Sequence, residues 1–567
     1  MASIQARRVR GRTYYSVVES RRINGKPRPV IVQYLGTAEK VRQLVQTQQA
    51  AARPRDTHVR MFGAVAALLA LVQQLDLLRL IDTHVPKRAQ GPSVGQYLVL
   101  AALNRCVAPT SKRGFGAWYQ RTALARLLPL RAADLTSQRF WDHMARVTPA
   151  ALQAIETALA RRVVEQFGVD LRCLVFDCTN FDTFIDTATP AALPQRGHAK
   201  SNRTDLRVVC LGLLVSTDFH VPLFSHVYAG NQPDARTFAA VLDALVERYR
   251  ALATDLEGVT LVFDKGNNAA STQARLDRTP FHFVGSLVPT QHPDLLALPR
   301  EAFAACTDPR LAGVRALRTT PLVYGHARPV VVVFSPTLFA KQVRGIAQSL
   351  AKRRRQLSTL QAHVRRAAQP GARGKGYTVA SLKTALDKLL HGQHVRRLLR
   401  YEIVSAAGKP LRFRYWLDRQ ADADLKARVL GKRILFTDQA SWSTDQIILA
   451  YRAQHHVEAA FKQMKHPAFV GWEPMFHWTD QKIRVHAFYC VLALLLASLL
   501  HRQAVQAGLR LSLAGVLECL AGIQEVITLY PPAGGKGRPQ AHTILTHRTP
   551  LQQQLFDHLR LERYLAT

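Results

Sequence analysis

The sequence predicts an α/β protein, a mixed sheet with helices packed on its faces, within a chain of several folded units. Three observations carry that expectation. Apolar runs of strand length recur at LRCLVFD (171–177), RVVCLGLLVST (207–217), VPLFSHVYAG (221–230) and VTLVFD (259–264), with a helical pattern, ARTFAAVLDALVERYRAL (235–252), between the third and fourth. The 567 residues exceed one compact domain and fit about three to four units. A long basic stretch (341–400) then separates the first group of strands from a helix-rich remainder.

Taken in order, TYYSVVESRRINGKPRPVIVQYL (13–35) alternates β-branched and aromatic residues with polar ones, and Asn24-Gly25 reads as a hairpin turn. With thirteen Lys and Arg against three acids in residues 1–60, residues 1–55 are expected to form a small basic β module that contacts DNA. From 56 to 165 the apolar spacing is helical, as in MFGAVAALLALVQQLDLLRLI. Residues 166–290 hold the strands above and FHFVGSL (281–287), forming the first part of the core. Residues 291–440 read as an inserted domain: between 341 and 400 lie fifteen Lys and Arg and one acid, Asp387, in two helical stretches separated by QPGARGKG, followed by strands in YEIVSAAGKPLRFRYWLD (401–418) and KRILFTD (432–438). That hairpin, with Arg353, Arg354 and Arg355, fits a DNA-tracking arm better than a merely solvated one. A helix opens after Ser443 on a capping box with Gln446, so residues 441–505 return to the core, and 506–567 are expected to be a helical region apart from the loop YPPAGGKGRPQ (530–540).

Charge narrows the function. An excess of 77 Lys and Arg over 39 Asp and Glu leaves +38, a self-repulsion that a polyanion would relieve. Nucleic acid fits best, because phosphate contacts release condensed counterions. The seven cysteines form no CxxC or Cys/His metal spacing and read as free thiols in a reducing compartment. MASIQARRVRGRTYY lacks the apolar stretch of a secretory signal, and the longest apolar run, Ala487 to Leu500, is 14 residues, short for a bilayer span. A buried helix and a cytoplasmic protein are expected.

Two acids occupy matching places: Asp177 ends Leu174-Val175-Phe176 and Asp264 ends Leu261-Val262-Phe263. Sites in open α/β sheets form outside the carboxyl ends of strands, and a divalent cation offsets the cost of partly burying such acids. Singly, each would read as an ordinary strand-end aspartate. A third acid lies on STDQIILAYRAQHHVEAAFKQMK (443–465), where one continuous helix would place Tyr451, Gln454, Glu458 and Lys465 on a single stripe. His455-His456 diverge too far around a helix to share an ion easily, and Asp182 and Asp186 read as loop polar groups.

Together these residues resemble a bacterial insertion-sequence DDE transposase. The likeness rests on Asp177 in LVFDCTNF, Asp264 in VFDKGN, and a Tyr-x2-Arg-x3-Glu-x6-Lys signature around Glu458. RGHAKSNRTDLRVVCLGLLV (196–215), AGNQPDARTF (229–238), WTDQKIRVHAFYCVLALLL (478–496) and YLG (34–36) follow the family in order, so the likeness covers most of the chain. The signature's arginine position holds Gln454, while Arg452 stands two places earlier; Lys465 or Lys462 would then compensate. Asp177 and Asp264 are 264 − 177 = 87 residues apart, and Asp264 and Glu458 are 458 − 264 = 194 apart, a gap that an inserted domain explains.

The resemblance implies an RNase H-like mixed-sheet core with flanking helices, interrupted by an inserted α+β domain. It implies that Asp177, Asp264 and Glu458 hold two Mg2+ ions, replaceable by Mn2+, for in-line phosphoryl transfer on double-stranded DNA, both terminal inverted repeats and target. Tyr451, Gln454, Arg452, Lys462 and Lys465 would contact DNA, and the chain would act as a homodimer on DNA in the bacterial nucleoid. Independently of the resemblance, Trp416, flanked by Arg414 and Arg419, reads either as a core residue, the commoner role of Trp, or as a stacking face for an unpaired base. A nuclease that cuts without joining, or a catalytically impaired DNA-binding protein derived from a transposase, are the competing readings.

Overall fold

The computed structural model describes residues 2–23, 26–51, 53–88, 90–186, 188–252, 258–267, 269–369, 376–406, 410–532 and 538–566. The Asn24-Gly25 turn, residues 370–375 and residues 533–537 lie outside the described residues. Two compact units divide the chain: Met1–Arg146 with Pro467–Pro474 and Leu496–Thr567, and Val147–His466 with Met475–Leu495.

The second unit carries the candidate site. It begins with α1 (Pro149–Phe167), whose Thr148 hydroxyl accepts from the Ala151 amide and whose end is Gly168 at φ +57°. There follow β1 (Cys173–Thr183), β2 (Arg207–Ser216), β3 (Pro222–Ala229), α2 (Asp234–Leu252), β4 (Thr260–Phe263), α3 (Ala270–Leu276) and β5 (His282–Ser286). The region expected as an insertion supplies β6 (Ala304–Ala305), β7 (Arg315–Thr319), β8 (Val330–Phe334), α4 (Pro336–Ala367), α5 (Val379–Leu389), β9 (Leu399–Val404), β10 (Arg412–Leu417) and β11 (Lys432–Thr437). Helices α6 (Thr444–Arg452) and α7 (Gln454–Met464) complete it, with the start of the long helix Asp480–Gln506.

Nine strands form one mixed sheet in the order β6-β7-β8-β11-β5-β4-β1-β2-β3. Strands β1, β4 and β5 run parallel, and every other neighbouring pair is antiparallel. Central strands buried on both faces need apolar residues without alternation, which is why Leu174-Val175-Phe176 and Leu261-Val262-Phe263 are continuous runs. Gly285 is required between them and β11: a Cβ there would meet the Phe436 ring at 2.6 Å and the Phe263 ring at 2.9 Å.

Part of the expected insertion therefore extends the core sheet through β6, β7, β8 and β11. The remainder builds its own core. Leu350, Leu357 and Val364, seven residues apart along α4, pack with Leu382 and Leu386 of α5, Leu399 of β9 and Phe413 of β10. The two-stranded β9–β10 sheet alternates cleanly, with Arg400, Glu402, Val404, Arg412, Arg414 and Trp416 on its exposed face.

In the first unit, Arg12–Ile23 and Lys26–Thr37 pair as the alternation over 13–35 predicts, and Ala2–Val9 adds a third antiparallel strand that was not expected. The helices Gly63–Gln74 and Val94–Val107 are almost wholly buried, which explains their lack of a polar stripe. Two expectations change here. Asp56–Met61 is a strand rather than the start of a helix, and the C-terminal region adds Gln524–Tyr530 and Gln540–Leu545, the three strands pairing together. Neither Asp56–Met61 nor its partners is strongly apolar, so helical spacing nearby masked them. The run at 487–500 lies inside the 27-residue helix Asp480–Gln506, long and apolar enough to cross a membrane by composition, yet 89% of its most apolar window is buried in the fold.

Candidate active site

Sheet register brings the two aspartates together. Phe176 on β1 is paired with Phe263 on the parallel strand β4, so the next residues, Asp177 and Asp264, stand side by side. Val262 is paired with Val284 on β5, and Ser286 with Leu435 on β11, so one row across the sheet reads Asp177, Asp264, Ser286, Leu435. Register partners project from the same face, so both carboxylates share one side of the sheet. The two strands end differently, however. Asp264 follows the last residue of β4, whereas β1 runs on to Thr183, so Asp177 is inside a strand rather than at its end. Asp182 is likewise a strand residue, accepting from Ser201 Oγ at 3.0 Å, while Asp186 accepts from the Ala188 amide in a loop.

Helices α6 and α7 cover this face. The capping box at Ser443 and Gln446 starts α6 as expected. The helix then breaks: Ala453 ends α6 and α7 begins at Gln454. The stripe expected from one continuous helix is thus interrupted, because uniform 100° steps hold only while the i→i−4 ladder is unbroken. Tyr451 is 3% exposed, and its hydroxyl donates to Asp264 Oδ1 at 2.9 Å. Burial and the Asp264 charge both push this phenol well above its ordinary value. Tyr451, expected to contact DNA, is thus almost wholly buried and bonded to a candidate site carboxylate. Lys465 closes the other end: its Nζ donates to Thr179 Oγ1 at 2.8 Å and lies 5.3 Å from the Phe181 ring. Thr179 is two residues beyond Asp177, on the same face of β1.

Glu458 is exposed on α7, whose inward residues are Val457, Ala460, Phe461 and Met464. Among the described residues no three His, Cys, Asp or Glu side chains converge to hold a metal ion. The aspartate pair alone, an all-oxygen donor set on one rigid face, suits a hard divalent cation.

The remaining expected contacts are distributed. Arg452 is exposed but donates to the Arg310 carbonyl at 2.9 Å, and Gln454 has a buried Nε2 without a hydrogen-bond partner among the described residues. Lys462 is exposed. His455 bonds the Arg452 carbonyl, and His456, pushed down to about 4 by burial, lies against His220 instead of forming a pair of ligands with His455. On the separate α4–α5–β9–β10 body, Arg354 and Arg355 are exposed, whereas Arg353 is half-buried and donates to Gln356 and to the His391 carbonyl. Trp416 is 46% exposed, opposite Arg400 in register and 5.9 Å from the Arg414 guanidinium, which is itself ion-paired to Glu402.

Three site neighbours are not among the residues expected from the sequence. Lys200 Nζ donates to the Cys178 carbonyl at 2.6 Å, Ser286 stands in the aspartate row, and Arg433 lies 5.1 Å over the Tyr451 ring. Each is placed by sheet register or a returning loop, neither of which has a local pattern. The glycines of RGH and AGN do have one: a Cβ on Gly197 would meet the Gly230 carbonyl oxygen at 2.0 Å, so the loop carrying Lys200 can pack backbone to backbone.

No family model matches the sequence, and no curated protein matches it. Among solved structures, a piggyBac transposase synaptic complex with hairpin DNA aligns over 81% of this chain and 78% of that chain, at 8% identity and a TM-score of 0.34. A likeness at that level assigns neither fold family nor activity.

Proposed function

We propose that this chain is a DNA transposase of the DDE kind, cutting DNA at element ends and joining them to a target by in-line phosphoryl transfer. The observation that carries the reading is the register that sets Asp177 beside Asp264 on one face, under helices that supply Tyr451 and Lys465. Further support comes from strand order. Three antiparallel strands β1–β3, a helix, then β4 and β5 added in parallel on the far side of β1 is the arrangement of an RNase H-like core. The +38 charge supports a nucleic-acid substrate.

In this reading Asp177 and Asp264 would hold a divalent metal, Mg2+ or Mn2+, and Glu458, exposed on α7 and outside any cluster of three ligands, would have to move in as the third carboxylate. Bound there, the metal would lower the pKa of an attacking water and neutralise charge on the phosphate. The chain's own residues do the rest. The Tyr451 hydroxyl fixes the Asp264 carboxylate through its 2.9 Å bond, so less reorganisation is needed on loading. Lys465 and Lys200 place positive charge along β1, where a DNA backbone would run. Trp416 and the exposed arginines around it offer an aromatic face for an unpaired base. Bringing two element ends together would require a dimer on DNA.

The test is nicking and strand transfer with the full chain, Mg2+ and a duplex of the element's own ends. Cleavage and joining are expected, lost in Asp177→Asn, Asp264→Asn and Glu458→Gln. Wild-type cleavage by all three variants would refute the assignment. Cleavage without joining would select the nuclease reading, and binding alone the DNA-binding one.

A further inference from the structure

The exposed guanidinium of Arg433 stands at the edge of the site without an ion pair among the described residues. It lies 5.1 Å over the Tyr451 ring, and it makes no hydrogen bond or ion pair with the described residues. Its placement follows from register. Leu435 belongs to the row that contains Asp177, Asp264 and Ser286, and Arg433 is two residues earlier on β11, hence on the same face. Because β11 runs antiparallel to β5, earlier residues of β11 lie beyond Ser286, at the carboxyl edge of the parallel strands. That is the edge on which Asp264 opens.

Asp264 accepts from the Tyr451 hydroxyl, and the Arg433 guanidinium lies over the ring of that same phenol. A contact with the ring face occupies no N–H donor, so the guanidinium's donors are unpaired among the described residues. A planar, unpaired fork matches an anion with two acceptor oxygens. We propose that Arg433 is a phosphate-binding residue, gripping the non-bridging oxygens of a DNA phosphodiester beside Asp177 and Asp264. The inference rests on the DNA reading above and adds to it the group that holds the backbone at the carboxylates.

The experiment uses the full chain in two measurements. In the first, Mg2+-dependent nicking of a supercoiled plasmid is compared for the wild type, Arg433→Ala, Arg433→Lys and Asp264→Asn. Arg433→Ala is expected to slow nicking by about 10- to 100-fold, the size of a lost charge-assisted bond. Arg433→Lys should recover part of it, and added guanidinium ion should partly rescue Arg433→Ala, which a packing role would not allow. If Arg433→Ala nicks like wild type while Asp264→Asn is dead, Arg433 is excluded and the enzyme reading stands. If Asp264→Asn nicks like wild type, the enzyme reading falls. The second measurement needs no cleavage: in EDTA, the slope of log affinity against log salt for a short duplex should be shallower by about 0.9 in Arg433→Ala, one phosphate contact. An unchanged slope overturns the proposal whether or not the protein cuts DNA.

Discussion

Tyr451→Phe isolates one hydroxyl at the centre of the site. The ring stays, so packing under α6 and the contact with Arg433 are kept; the 2.9 Å bond to Asp264 is removed, together with the hydroxyl's hydrogen bond with Ser286. Hydrogen bonds to charged groups contribute about 1.5–3 kcal/mol, and because Asp264 is half-buried, water can take over part of the role, which puts the loss near ~1.5 kcal/mol. Tyr451→Ala would instead open a cavity at a residue 3% exposed, costing about 3–5 kcal/mol by analogy with other large-to-small core changes. The cost belongs to local opening of α6 from β4, so the assay is amide exchange by mass spectrometry on peptides covering 259–264 and 444–456. Exchange in Tyr451→Phe should accelerate roughly tenfold there and remain unchanged in the first unit. Nicking should fall by about 10- to 100-fold, as for other groups that orient a metal-binding carboxylate. Unchanged exchange together with unchanged nicking would refute the view that this hydroxyl fixes Asp264.

Other outcomes follow from the rest of the unit. The Arg248 side chain is 4% exposed and pairs with Glu156, whose carboxyl burial holds above its ordinary value; Arg248→Met should destabilise by about 3–5 kcal/mol by leaving that charge unpaired, as thermal unfolding would show. Because the Glu156 value is raised, its contribution is full below the ordinary carboxylate range and declines as the pH rises through its folded-state value, so Glu156→Gln should gain on wild type from pH 4 to pH 8; a pH-independent difference would contradict this. Gly285→Ala should cost about 1–3 kcal/mol, since Phe436 and Phe263 must move, measurable by the same unfolding. Trp416→Ala should leave stability within about 0.5 kcal/mol and weaken binding of DNA with an unpaired base by about 1–3 kcal/mol relative to a fully paired duplex.

The sequence by itself determined the elements whose causes are local. The apolar runs at 174–176 and 261–263 had to be buried strands, and Ser443 with Gln446 had to start a helix. The charge excess called for a polyanion. The matching contexts of Asp177 and Asp264, each after an apolar run of strand character, and the resemblance they join drew attention to the pair. Tertiary structure decided what depends on pairing. Register set the two aspartates side by side, added Ser286 and Arg433 to their row, and carried β6–β8 and β11 of the supposed insertion into the core sheet. The break at Ala453 interrupted a stripe that periodicity drew as continuous, leaving Tyr451 on Asp264 and Glu458 exposed on the next helix. Periodicity reports which way a side chain points along its own element. Which partners it meets is fixed by strands and helices far away in sequence, and that information is not local.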